Sequence, residues 1–199
     1  MAKIILRKHN SYVGKSWLGG KTTEVYLYPE EGDYQQRNFE FRFSYATIEI
    51  EKSTFSNLNG FKRILIPTKD DIILINNFQS FKIKKNQPYY FNGSDQVKSL
   101  GVSEDLNLIY HPKWQAELTI SNLPEKLKFN NEIVGVFALK GNFKVSLSNH
   151  QFQLGEKDCL IIQNFDHQKL QLKVDNKELN GQAAIFCLKR DDSFESEGN

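Results

Sequence analysis

Between residues 38 and 50 the chain alternates strictly. Phe39, Phe41, Phe43 and Tyr45 occupy one parity, and Glu40, Arg42, Ser44, Ala46 and Ile48 the other. Successive side chains of a strand point to opposite faces, so this period of two predicts a strand with one apolar and one mixed face. Shorter runs of the same kind predict strands at 23–28, 64–67, 72–75, 81–84, 106–110, 117–121, 134–139, 143–147, 159–163, 170–174 and 183–188. Turn signals punctuate them, among them Glu31-Gly32-Asp33, Leu58-Asn59-Gly60, Asn92-Gly93-Ser94 and Lys140-Gly141-Asn142. Helical periodicity is confined to a single turn expected near 102–105. Many short strands with frequent turns specify an all-β sandwich or barrel.

The pattern also repeats. Ile64-Leu65-Ile66, Ile72-Ile73-Leu74, Phe81-Lys82-Ile83 and Tyr89-Tyr90-Phe91 form one series. Val136-Phe137-Ala138-Leu139, Phe143-Lys144-Val145, Phe152-Gln153-Leu154 and Leu160-Ile161-Ile162 form a second with similar spacing. The second series, with Gly141 and Leu154-Gly155-Glu156-Lys157-Asp158 at its turns, has the cadence of a jelly-roll (cupin) half. The expected organisation is a double-stranded β-helix in two cupin halves, a bicupin, with halves at 1–112 and 113–190 and an acidic tail at 191–199.

Composition narrows the function. The 199 residues carry 26 basic and 24 acidic side chains, mixed along the chain, for a net charge of +2. That balance lacks the concentrated basic field of a nucleic-acid binder. No apolar run spans a bilayer, and the start, Met1-Ala2-Lys3-Ile4-Ile5-Leu6-Arg7, is too charged for a signal peptide. The two cysteines, Cys159 and Cys187, sit in apolar β-type runs, as buried small hydrophobes do in a reducing compartment. A cytoplasmic protein is expected, without a membrane or nucleic-acid partner.

Candidate chemistry is sparse. His9, His111, His150 and His167 are never paired at short spacing, and His150 and His167 are read as turn residues, so no metal is expected. No Gly-x-Ser-x-Gly elbow is present, and Gly19-Gly20-Lys21-Thr22 lacks the upstream glycine, strand and helix of a phosphate loop. What stands out is cationic residues among alternating β positions. Burying a guanidinium without a partner is costly, so Arg42 on a strand face beside the small Ser44 and Ala46 asks for a reason. Lining a barrel mouth, Arg42 would hold a carboxylate in bidentate fashion, with Ser44 donating and Arg63 adding charge. Trp17 beside Gly19-Gly20 would supply a wall, and Asp105 and Asn107, two apart, would orient the arginines. The competing structural reading pairs Arg42 and Arg63 with Glu24 and Asp105 and lets Trp17 plug the barrel end.

Trp17-x-Gly19-Gly20-x-Thr22-x-Glu24, Phe41-Arg42-x-Ser44-x-Ala46, Phe55-Ser56, Gly60, Arg63, Pro88-x-x-Phe91 and Asp105-x-Asn107 resemble, in order and spacing, the signatures of the HutD/Ves family. The resemblance extends over the whole chain except the acidic tail. It implies a bicupin with its pocket in the N-terminal half, no bound metal, no cofactor, and a non-enzymatic, regulatory role. In some members that role is tied to histidine breakdown, with urocanate or formylglutamate as suggested ligands, and in others to stress. The sequence departs from the family at Lys52-Ser53-Thr54, at Leu106, at Tyr110-His111 and at Pro67-Thr68-Lys69-Asp70-Asp71, the last altering the expected pocket edge.

The expected ligand-binding set is therefore Trp17, Thr23, Glu24, Arg42, Ser44, Arg63, Asp105 and Asn107, with a small carboxylate metabolite as partner and no catalytic residue. An edge-to-edge homodimer is compatible with such sheets. The alternative is a metal-independent enzyme of sugar isomerase or epimerase type, with His111 or Tyr110 as acid/base inside the same pocket.

Overall fold

The strands run in chain order as β1 (Lys3–Arg7), β2 (Gly14–Trp17), β3 (Gly20–Tyr28), β4 (Phe41–Ile48), β5 (Lys52–Thr54), β6 (Lys62–Pro67), β7 (Ile72–Asn76), β8 (Gln79–Ile83), β9 (Tyr89–Asn92), β10 (Val97–Leu100) and β11 (Ser103–Tyr110). They continue as β12 (Trp114–Asn122), β13 (Glu125–Phe129), β14 (Ile133–Lys140), β15 (Phe143–Leu147), β16 (His150–Leu154), β17 (Cys159–Gln163), β18 (Leu170–Asn176) and β19 (Gln182–Arg190). This computed structural model describes residues 2–122, 124–176, 180–191 and 193, so most of the acidic tail lies outside the described residues. Every predicted strand is present. The helical turn expected near 102–105 is not: Ser103–Asp105 is the extended start of β11, hydrogen-bonded along β4. His150 likewise opens β16 instead of sitting in a turn.

Strands β1, β2, β5 and β13 escape the pattern for one reason. Each lies at a sheet edge and is short, and β2, β5 and β13 carry lysines outward, the usual device against edge-to-edge pairing.

The chain divides into two compact units. Tyr12–Lys113 forms one, and the residues on either side form the other, so β1 pairs with β17 and not with its neighbours in sequence. Each unit is a pair of antiparallel sheets. The first holds β2-β3-β4-β11-β6-β9 and β5-β10-β7-β8, and the second β1-β17-β14-β19-β12 and β13-β18-β15-β16.

The repeat seen in the sequence is a duplication of eight strands. β4-β11-β6-β9 has the same order as β12-β19-β14-β17, and β5-β10-β7-β8 the same as β13-β18-β15-β16. In both copies the inner two strands of the repeated series form a hairpin in the small sheet (β7–β8, β15–β16). The outer two close the large one (β6–β9, β14–β17).

Facing sheets bury the core between them. In the second unit Val134, Val136, Ala138, Leu160, Ile162, Ala183 and Ile185 of the large sheet pack against Phe143, Val145, Leu147, Leu172 and Val174 of the small one. In the first, Leu65 and Phe91 meet Ile72, Leu74, Ile83 and Val97. Apolar burial of this kind contributes roughly 25 cal/mol per Å² and holds the sheets together.

Candidate functional site

Strand register fixes which side chains share the interior of the first unit, because directly paired residues point to the same face. Three successive rungs emerge. Leu27, Arg42, Ile109, Arg63 and Phe91 form the first, Glu24, Ser44, Asn107, Leu65 and Tyr89 the second, and Thr22, Ala46, Asp105 and Pro67 the third. The parity of β4 thus places Arg42, Ser44 and Ala46 on the interior face, as the alternation predicted. Phe41 and Phe43 face the other way and are buried too.

Six of the eight expected residues share this face near one another: Glu24, Arg42, Ser44, Arg63, Asp105 and Asn107. Thr23 does not belong with them. It pairs with Tyr45, on the opposite side of β3, and its neighbour Thr22 takes the interior position. A bulge between Glu24 and Tyr26 then shifts the register, so that Leu27 returns to the Arg42 rung. Trp17 pairs with Gly20, which pairs with Ile48, three rungs from Arg42. At about 3.3 Å per residue that is roughly 20 Å along the sheet. Nor do the paired glycines open a ligand face. A Cβ on Gly20 would lie 1.9 Å from the Thr47 carbonyl oxygen, and one on Gly19 would strike the Trp17 ring, so both serve the β2–β3 hairpin and its approach to β4.

The two arginines live differently. Arg42 donates from Nε to Glu24 Oε2 at 2.7 Å, and its guanidinium carbon lies 4.2 Å from the centre of the Tyr34 ring. Tyr34 is delivered by a closed turn, in which Asp33 Oδ1 accepts from the amides of Gln35 and Gln36 and Asp33 bridges to Asn38. Half of the structural reading therefore holds: Arg42 has its carboxylate, at a pair whose Glu24 side is 40% exposed.

Arg63 has none. It is only 4% exposed, and among the described residues no carboxylate lies within ion-pair distance of it. Its guanidinium carbon sits 4.8 Å from the Phe55 ring centre and 5.0 Å from that of Phe91, and those rings meet edge to face. One long hydrogen bond, 3.4 Å to the Ser56 carbonyl, holds Nη1, while Nε is buried without a partner. Burial lowers the Arg63 pKa to about 10, against the pull of Tyr34 and Asp105, so it stays charged at neutral pH. Burial likewise raises the Asp105 carboxyl to about 7, with Arg63 opposing.

Two further polar atoms are buried unpartnered here, Asn107 Oδ1 on the second rung and Ser99 Oγ on the facing sheet. Ser99 shares a rung with Ser53, Leu74 and Phe81, and Leu74 packs with Leu65 and Phe91. The alternation of β10 was not predicted, and with it Ser99 was missed; its only signal is a serine at an inward position of Val97-Lys98-Ser99-Leu100. Nearly all buried polar groups in proteins are hydrogen-bonded, so three such atoms in one interior are unusual.

The second unit gives the contrast. Counting rungs back from the turn into the small sheet, Arg63 falls where the duplicate has Val134, Asn107 where it has Ile185, and Asp105 where it has Ala183. The architecture is built there with an apolar interior. Polar side chains at these positions are thus not demanded by the fold.

The acid/base candidates lie elsewhere. Tyr110 pairs with Phe41 and Lys62, on the face away from Arg63. His111 sits edge-on to Phe61, 6.2 Å between ring centres, its Nδ1 accepting from the Lys113 amide. Phe61 and Phe39 are stacked between it and the Tyr34 that covers Arg42. Among the described residues no three His, Cys, Asp or Glu side chains are grouped to hold a metal ion.

Two facing-sheet units related by an eight-strand duplication define a bicupin, and the known structures agree. The chain aligns with a conserved protein of unknown function from Pseudomonas aeruginosa PAO1 (TM-score 0.82, 22% identity, 94% of this chain and 99% of that one). It also aligns with HutD from Pseudomonas fluorescens SBW25 (TM-score 0.76, 24% identity, 95% and 100%). A more distant bicupin is the nickel(II)-bound bacterial pirin of Escherichia coli (TM-score 0.66, 11% identity, 95% and 100%). The HutD family model matches residues 9–179, and the chain belongs to the HutD family. No curated protein matches its sequence.

Proposed function

We propose that the polar interior of the first unit binds a small carboxylate, with Arg63 as anchor and Arg42 and Ser44 beside it, and that the protein acts by binding and not by catalysis. One observation carries this reading: a buried, charged guanidinium without a carboxylate partner, at a position the duplicate fills with Val134. An anion would supply the missing partner in a setting where charge-assisted hydrogen bonds are strong. Arg42, already paired with Glu24, is the secondary contact. The HutD resemblance adds a regulatory role and makes urocanate and formylglutamate the first ligands to try.

The test is a thermal-shift screen of urocanate, formylglutamate, histidine, glutamate and sugar phosphates. A ligand at a hundred times its dissociation constant adds about 2.7 kcal/mol. For a chain of this size that is a shift of roughly 5–10 °C. The shift is expected with at least one carboxylate and lost in Arg63→Met. A flat screen, or a shift untouched by Arg63→Met, rejects the reading. A shift with sugar phosphates alone would favour the isomerase alternative, which the placement of Tyr110 and His111 does not support.

A further inference from the structure

Resting on that reading, we infer what stands at the other end of the ligand: an N–H or O–H donor and not a second carboxylate, placed about one rung from the anchored carboxylate, where Asn107 Oδ1 accepts it. Arg63 Nε can only donate, and it is satisfied by an acceptor such as a carboxylate oxygen. Asn107 Oδ1 can only accept, and Ser44, directly opposite on β4, does not serve it.

Adjacent rungs on one face are about 6.7 Å apart, so the backbone positions that carry the two unmet groups are offset by roughly that much along the strands. The next rung brings Asp105, and Glu24 stands on Asn107's own rung. Glu24 thus puts a negative charge at this end of the interior, and a second carboxylate there would face it together with Asn107 Oδ1, which also only accepts. Ser99 Oγ, wholly buried on the facing sheet, donates or accepts and adds a contact from above without changing the polarity.

The experiment measures dissociation constants by calorimetry for three probes of one length: 4-hydroxybutyrate, pentanoate, which replaces the hydroxyl by methyl, and succinate, which has a carboxylate in place of the terminal hydroxymethyl group. Leaving a buried acceptor unmet costs about 1–3 kcal/mol, so 4-hydroxybutyrate should bind roughly 5- to 150-fold tighter than pentanoate, with succinate weakest. In Asn107→Ile, which copies Ile185 of the duplicate, the preference for the hydroxyl should vanish while pentanoate still binds. If that variant does not fold, Asn107→Asp keeps the acceptor and should keep the order. Pentanoate or succinate binding as tightly as 4-hydroxybutyrate, with all binding lost in Arg63→Met, overturns this inference and leaves the carboxylate anchor standing. Binding of none of the three overturns both.

Discussion

Arg63 and Phe91 face each other across the β6–β9 ladder, the guanidinium carbon 5.0 Å from the ring centre. A cation held by rings instead of by a carboxylate recovers part of its lost hydration, but not all of it. Replacing it by an apolar side chain of similar length should therefore be tolerated. Arg63→Met is expected to leave the unfolding free energy unchanged or to raise it by up to about 2 kcal/mol, because a buried charge without an ion-pair partner is removed. Urea denaturation checks this. A loss of more than about 2 kcal/mol would make Arg63 a structural member of the core.

Asp105 should make stability depend on pH. Its folded pKa, near 7, lies above the unfolded value of a carboxyl, near 3.9. Between these values the folded chain holds a proton that the unfolded chain has released, so stability falls as pH rises. The contribution is complete below about pH 4 and gone above about pH 7. Asp105→Asn removes the titration. The variant should match the parent near pH 4 and exceed it at pH 8 by an amount on the order of a few kcal/mol. Parallel curves from pH 4 to 8 would show that the Asp105 carboxyl is not held neutral.

On the proposed reading, Glu24 competes with the ligand for Arg42. Because the pair is partly exposed, Glu24→Gln should cost at most about 1 kcal/mol of stability. It should also strengthen carboxylate binding several-fold, by releasing Arg42 Nε and removing a negative charge from the second rung. Calorimetry on the variant reads both the sign and the size. Weaker binding would mean that Glu24 holds Arg42 in its binding pose.

Trp17 and Thr23 should be silent in binding. Trp17 lies three rungs from Arg42, and Thr23 points to the other face of β3. Trp17→Ala and Thr23→Ala should bind a carboxylate probe within twofold of the parent. A tenfold loss in either would require the binding site to extend along the sheet to β2.

Most strands that face the core announce themselves through alternation, because burial constrains every second residue; β10, four residues long with Ser99 at an inward position, does not. β4 is the clearest case, and its parity correctly separates Arg42 and Ser44 from Phe41 and Phe43. Edge strands such as β2 and β5 are not under that constraint and are hidden by their lysines and serines. The site is legible to the same extent. The parity of Asp105 and Asn107 follows from their spacing. The face of Thr23 does not, because the bulge after Glu24 depends on how β3 meets β4. Which arginine is paired could not be read at all, since Glu24 and Asp105 look equivalent until register places one within reach and the other two rungs from Arg63.

The pairing of β1 with β17 has a consequence for synthesis. Residues 3–7 are translated about 150 residues ahead of their partners at Cys159–Gln163. At the usual 5–20 residues per second the first strand waits roughly 8–30 s on a ribosome, during which the whole of Tyr12–Lys113 emerges and has the means to fold. The interior that holds Arg63 would then be complete before β12–β19 are translated.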